Sequence, residues 1–401
     1  MAIGDHDTAR DSREIGAREI ALMLNQQVRS LAPVLLPAGF VSGGMFHVGS
    51  VDGEAGDSLK IKLNGPDAGA WADYSCDRSD LRGTGDMLKL VQLTVGEGEI
   101  GKAVRWAKGW LGIESMDPAA LDRQRKRADA AQQRAEVERA GEIEKSQLKA
   151  RNLWLNAAPI LGTPAQRYLE GRAIDFARIG RIPRAMRFRH DVWQPDLARP
   201  CPALLTAGIR GKVHVATHCI FLHRSSDGSW GKLPDITVEA KRHKIAKKVF
   251  GKDYYGAHFP VHKGSFGGRH GKGLADMAAG EPVDVAEGLE DALTCAMVFP
   301  ERRVVMAAVL GNIGALEVPP QCGDFVILAQ RDAPGSKAAA SLEKQIAVQQ
   351  RRAAAQGSPR RVLCRWPGER FKDFNDELRG SEFRMSEGAG PKGDGPEGDQ
   401  D

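Results

Sequence analysis

The sequence predicts an α/β fold: a mostly parallel sheet flanked by helices in the C-terminal third, preceded by a smaller α+β region. Three observations carry this expectation. Short apolar runs alternate with helical runs between residues 282 and 380, the pattern of βαβ units. Acidic and amide residues follow several of those runs, where open parallel sheets bind their ligands. The upstream stretches are shorter and less regularly interleaved.

A chain of 401 residues has room for two or three domains with cores of their own. The sequence divides into an α+β module at 12–113, a charged helical linker at 114–150, an α+β region at 151–281, the α/β region at 282–380 and an acidic tail at 381–401. No run approaches the roughly 18 apolar residues that a membrane span needs. The N-terminal stretch MAIGDHDTARDSREIGAREI is polar and charged, unlike a secretory signal. These features predict a cytoplasmic protein with no membrane partner.

Six cysteines (Cys76, Cys201, Cys219, Cys295, Cys322 and Cys364) form no CxxC pair, which argues against a disulfide framework or a Cys-rich zinc finger. His214, His218 and Cys219, with Cys201 upstream, make one cluster of potential zinc ligands. VHVATHCIFLH alternates as a strand does, so neighbouring residues point to opposite faces and no zinc is expected. The net charge of +5 is modest, so where the charge sits matters more than its sum.

In chain order, REIGAREIALMLNQQVRSLAPVLLP reads as an amphipathic helix, LKIKLNG and AWADYS as short strands, and GTGDMLKLVQL and IGKAVRWAKGWLG as helices. Residues 117–150 mix Arg, Lys, Glu, Gln and Ala with few large apolar side chains, which predicts a solvated helical linker. Beyond it, Thr163 and Pro164 fit an N-cap and the first helical position. CPALLTAGI and VHVATHCIFLH read as strands, followed by a loop ending in the basic run KRHKIAKKVFGK. The last 17 residues are acidic and rich in Gly and Pro, the composition of a disordered tail.

Within 282–380, PVDVA is a strand entering the helix EGLEDALTCAMVF, and RVVMAAVLGN is a second strand ending at a Gly-Asn turn. DFVILAQ is a third strand, leading through RDAPGS into the helix KAAASLEKQIAVQQRRAAAQ. RRVLCRWP is a fourth strand, and FKDFNDEL follows it. The strand ends then supply Glu287, Asn312, Gln330 with Asp332, and Asp373, Asn375 and Asp376. Carboxylates from several strand ends of one sheet suggest a Mg²⁺ site completed by phosphate oxygens. Glu290 and Asp291 lie near a helix start, where acids also meet the helix dipole favourably. The sequence FND can equally cap the last helix.

EGLEDAL after a strand, an acidic element after a later strand and a KDFND ending together resemble the Toprim domain of bacterial-type primases, type IA and II topoisomerases and some nucleases. The resemblance covers roughly residues 282–380. It implies that Glu287 acts as general acid/base, and that Asp332, with Glu287, Asp373 and Asp376, holds Mg²⁺ or Mn²⁺. The sequence departs from the family where the first aspartate of its Asp-x-Asp element would stand, because this chain has Gln330 followed by Arg331. A glutamine can coordinate through its carbonyl but brings no charge.

Upstream, GAWADYSCDRSDLRGTGDMLKLVQ resembles the zinc-ribbon-derived N-terminal module of such primases, with Cys76 alone in place of the zinc cysteines. KRHKIAKKVFGKDYYGAHFPVHKG resembles the basic strand-loop before their Toprim domain. Lys241, Arg242, Lys244, Lys247, Lys248 and Lys252 are dense there, with Phe250, Tyr254 and Tyr255 close by. Cations can follow a phosphate backbone while aromatic rings stack on bases. GSFGGRHGKGLAD is not a P-loop, because the pattern needs Gly at 266 and Ser or Thr at 273, where Phe266 and Gly273 stand.

The resemblance implies a primase-like protein of a phage, plasmid or related mobile element. It would join ribonucleoside triphosphates on a single-stranded DNA template and work with a separate replicative helicase. One alternative is a Toprim nuclease. Another is a non-catalytic single-strand-binding protein whose metal site Gln330 has disabled.

Overall fold

A computed structural model describes residues 15–76, 82–238 and 241–381, with the Lys241 side chain left aside. Residues 12–14 of the expected N-terminal module and all but the first residue of the expected acidic tail lie outside the described residues. The chain is a mixed α/β protein in which four of the five sheets found among those residues are antiparallel. It divides into two compact units, Met1–Glu142 and Ile143–Asp401, and the division falls within the helix Pro118–Leu155.

In the first unit, the expected single helix is two, Ala17–Gln26 and Val28–Leu35. The break sits at Gln27, whose amide takes a tight bond to the carbonyl of Leu24 at 2.9 Å. A five-stranded antiparallel meander follows, Phe40–Ser42, Met45–Val48, Leu59–Lys62, Trp71–Asp73 and Thr84–Gly85. Leu59 and Ile61 are buried while Lys60 and Lys62 lie outside, as alternation requires. The helices Met87–Thr94 and Ile100–Trp110 complete the core. Asp86 caps the first of them by accepting the amide of Lys89 at 2.9 Å.

In the second unit, the strands Ala158–Pro159, Met186–Gln194, Arg199–Arg210, Val213–Arg224 and Trp230–Lys232 form an antiparallel sheet in sequence order. Lys247–Phe250 also pairs with Val213–Arg224. Much of the expected basic loop is therefore strand. Lys241–His243 is another short strand, paired with Ile236–Val238.

The remaining large sheet contains β1 (Phe259–His262), β2 (Val283–Ala286), β3 (Arg303–Met306), β4 (Phe325–Leu328) and β5 (Val362–Arg365), in the order β1-β3-β2-β4-β5. β2 pairs parallel with β3 and β4, β4 pairs parallel with β5, and β1 is an antiparallel edge. Every residue of β2, β3 and β4 is buried, which is why these strands read as apolar runs without alternation. The connecting helices are α1 (Leu289–Val298), α2 (Leu310–Ala315), α3 (Lys337–Ala355) and α4 (Phe374–Arg379). RVVMAAVLGN departs from the expected strand and turn, because β3 stops at Met306 and Asn312 lies inside α2. The amide of buried Asn312 donates to the carbonyls of Ala257 and Ala307, both at 2.8 Å, so it fastens backbone rather than facing a ligand.

Candidate functional site

β2 ends at Ala286, and the chain leaves the sheet through Glu287 and Gly288 into α1. Glu287 is half-buried, and burial pushes its carboxyl above the usual range, with the charge of Asp332 pushing the same way. Lys247, the backbone of Leu310 and Lys372 act in the opposite sense. Asp332 follows β4, the parallel neighbour of β2, and lies 3.9 Å from the ammonium of Lys372. The sheet thus brings Glu287 and Asp332 together beyond its C-terminal edge.

Gly288 opens the N-terminus of α1, and a methyl group there would lie 3.6 Å from a Glu290 oxygen, 3.7 Å from an Asp291 oxygen and 3.9 Å from the Lys247 ammonium. Glu290 is 5% exposed. It accepts the hydroxyl of Tyr168 and pairs with Lys232 at 2.7 Å and Lys247 at 3.8 Å. Burial opposes its ionisation, but Lys247 and Lys232 outweigh burial and hold the carboxyl well below its ordinary value. His218 is buried beside this group, and burial, reinforced by Lys247, drives its imidazole down to about 3. Its Nδ1 has no partner among the described residues.

Asp291, also buried, accepts the Gln330 side-chain amide at 3.0 Å and the backbone amide of Asn375 at 3.1 Å. Burial and then the charge of Asp373 push its carboxyl up to about 7. Asp373 caps α4 by accepting the amide of Asp376 at 2.8 Å, and Asp376 is itself raised by burial and by Asp373. Asp373 and Asp376 therefore couple to each other and, through Asp373, to Asp291. Arg331 donates to the carbonyl of Pro367 at 3.0 Å and lies 5.9 Å from the centre of the Trp366 ring. Among the described residues, no three of His, Cys, Asp and Glu come close enough together to hold a metal ion.

The described side chains of the basic run do not all lie on one face. Arg242 pairs with Asp235 at 2.7 Å, Lys248 pairs with Asp196 at 2.8 Å and Lys244 is exposed. The amide of Lys252 donates to Ser146, and the Lys241 side chain lies outside the described residues. Among the described side chains of the run, Lys247 pairs with Glu290, while its strand neighbour Lys248 faces the other way. Sequence reasoning missed Tyr168 and Lys232, which lie far from EGLEDAL along the chain and carry no local motif. Glu290 and Asp291 were legible as acids of a helix start, but their burial was not.

Residues 144–255 match a family model described as a domain of unknown function (DUF7146), a span that contains Tyr168, Lys232 and Lys247. No curated protein matches the chain. A solved structure similar to it is the primase fragment of the bacteriophage T7 primase-helicase protein. That likeness has 15% identity and a TM-score of 0.29 over 53% of this chain and 70% of that one.

Proposed function

We propose that residues 282–380 form a Toprim-type centre and that the protein is a primase-like nucleotidyltransferase acting on single-stranded DNA. The observation that supports this reading best is the placement of the carboxyls of Glu287 and Asp332 beyond the ends of adjacent parallel strands, with Lys247 and Lys372 beside them. Burial makes the Glu287 carboxylate a stronger base than an exposed one, which suits it to taking the proton of an attacking hydroxyl. Lys247 and Lys372 would offset negative charge as it builds on a transferring phosphate.

A divalent cation fits this pair, because it would relieve the repulsion that Asp332 exerts on Glu287, and two carboxylates with phosphate oxygens and water satisfy Mg²⁺. Asp332 and Glu287 would hold Mg²⁺ or Mn²⁺, with phosphate oxygens and water as the other ligands, because Asp373 and Asp376 do not join them in one cluster of three. When bound, the ion would neutralise the phosphoryl oxygens of the triphosphate. Gln330 favours a second reading, a protein that binds single strands without catalysis, because its amide is engaged in donating to Asp291 and supplies no charge.

Primer synthesis on single-stranded DNA, with labelled ribonucleotides and Mg²⁺ or Mn²⁺, tests the proposal. Short RNA products that Glu287→Gln abolishes are expected. No products from folded protein that still binds single strands would replace the proposal with the binding-protein reading. Template cleavage instead of synthesis would make the protein a nuclease.

A further inference from the structure

A second polar surface lies at the other end of the parallel sheet. His262 stands opposite Val304 near the start of β3, so Lys263 continues past the N-terminal edge of the parallel strands, away from Glu287. Here a cleft of about 940 Å³ opens between the end of the long helix, the segment after residue 180, the hairpin turn at Lys212 and the end of β1. Its charged side chains are Arg151, Arg181, Arg184, Lys212 and Lys263, all exposed, and no acidic residue lines it. Lys212 pairs with Asp276 at 3.0 Å. Among the described residues the other four have no carboxylate within ion-pair distance.

Four cations without an ion-pair partner therefore line one cleft that no acidic residue lines, a local excess of positive charge that attracts anions. Its wall is built rather than loose. The Trp154 indole donates to the carbonyl of Ala185 at 2.7 Å and carries the Arg187 guanidinium 3.9 Å from its ring centre. The imidazoles of His214 and His262 are driven down, first by burial and then by Arg151 and Arg181 respectively. Leu155 and Val213 add exposed apolar surface between the cations.

We infer that this cleft binds the phosphate backbone of single-stranded nucleic acid, as a track separate from the carboxylate centre. Its cations come from four separate chain segments and sit on long exposed side chains. That spread suits a phosphodiester chain, with one charge per nucleotide, better than a triphosphate with its charge at one point. The apolar surface between the cations can cover sugars and bases. The inference needs neither the metal nor nucleotidyl transfer.

The test is anisotropy of a labelled oligo(dT) against salt concentration, in EDTA, for wild type, Arg181→Ala with Arg184→Ala, and Lys263→Ala. These side chains are exposed, and thermal melting checks that the variants fold. The wild type should bind, and the plot of log affinity against log salt should become shallower by about 0.7 for each phosphate contact removed. ATP should not displace the oligonucleotide. The inference fails if the wild type does not bind, or if the folded variants keep wild-type affinity and slope. It also fails if only ATP binding depends on these arginines. Cleft-dependent binding by a protein that makes no primers would sink nucleotidyl transfer and leave the track standing. Primer synthesis with unchanged binding in the variants would do the reverse.

Discussion

The side-chain amide of Gln330 donates to a carboxylate oxygen of Asp291 at 3.0 Å, across the C-terminal edge of the parallel sheet. Gln330 stands where the family resemblance places an acid, and its donor answers a buried carboxyl that burial and Asp373 already make hard to ionise. Gln330→Glu keeps the shape and replaces the donor by a second carboxylate. In EDTA the variant should lose about 1–3 kcal/mol in urea unfolding, the cost of an unsatisfied buried group. Mg²⁺ or Mn²⁺ should return part of that loss, because the new charge pair is a better cation site. Unchanged metal-free stability would mean that the Gln330–Asp291 contact contributes nothing.

Asp291 also predicts a pH dependence. Its folded value of about 7 stands above the ordinary 3.8. Between those limits the native state holds a proton that the unfolded chain has lost, so this group makes stability fall as pH rises. The slope is at most about 1.4 kcal/mol per pH unit. His218 works in the other direction, because its value of about 3 lies below the ordinary 6.5 and stability is lost as pH falls. The two partly cancel in the wild type, so the difference between proteins is the useful quantity. In EDTA, Asp291→Asn should gain stability relative to wild type as pH rises from 4 to 7, and a pH-independent difference would refute the assignment.

The Glu290 cluster gives an order of effects. Removing its charge with Glu290→Gln leaves half-buried Lys232 and exposed Lys247 facing a neutral group, which should cost about 3 kcal/mol, the low end for breaking a buried pair because both lysines reach solvent. Tyr168→Phe removes one hydrogen bond to the carboxylate and leaves both lysines, so about 1.5–3 kcal/mol is expected. Urea unfolding of the two variants reads the order directly. Equal losses would mean that Tyr168, not the lysines, secures Glu290.

The parts of the fold legible in the sequence were those set by local pattern. VDVA, RVVM and FVIL are buried on both faces, so each shows as a run of apolar residues broken only by Asp284 and Arg303. Those two charges hid nothing, since Asp284 is paired with Arg302 and Arg303 with Glu281. Glu287 was legible because it follows its strand directly, and Asp332 because it lies in the short loop four residues past the end of β4. What failed to show was non-local. Tyr168 and Lys232 reach Glu290 only after the antiparallel sheet has folded against α1. Asn312 looked like a strand-end ligand because α2 is one short turn-rich helix, and a Gly-Asn pair reads as a turn. The basic run reads as one cluster in the sequence, but Lys247 and Lys248 are neighbours on a strand and face opposite ways.

That last point separates two lysines that composition cannot tell apart. Lys247 lies 3.8 Å from Glu290 and lowers the Glu287 carboxyl, whereas Lys248, next along the strand, pairs with Asp196 at 2.8 Å. If the carboxylate centre transfers nucleotides, Lys247→Met should cut the rate of primer synthesis about a hundredfold, the usual scale for losing one group that stabilises charge in the transition state. Lys248→Met should leave the rate within a few-fold of wild type, because the side chain faces the other way. The loss from Lys247→Met should appear in kcat at saturating template, since the lysine acts on the reacting phosphate rather than on the strand. Equal effects of the two substitutions, or a loss confined to template affinity, would return Lys247 to the role of a strand-binding cation and detach it from the chemistry at Glu287.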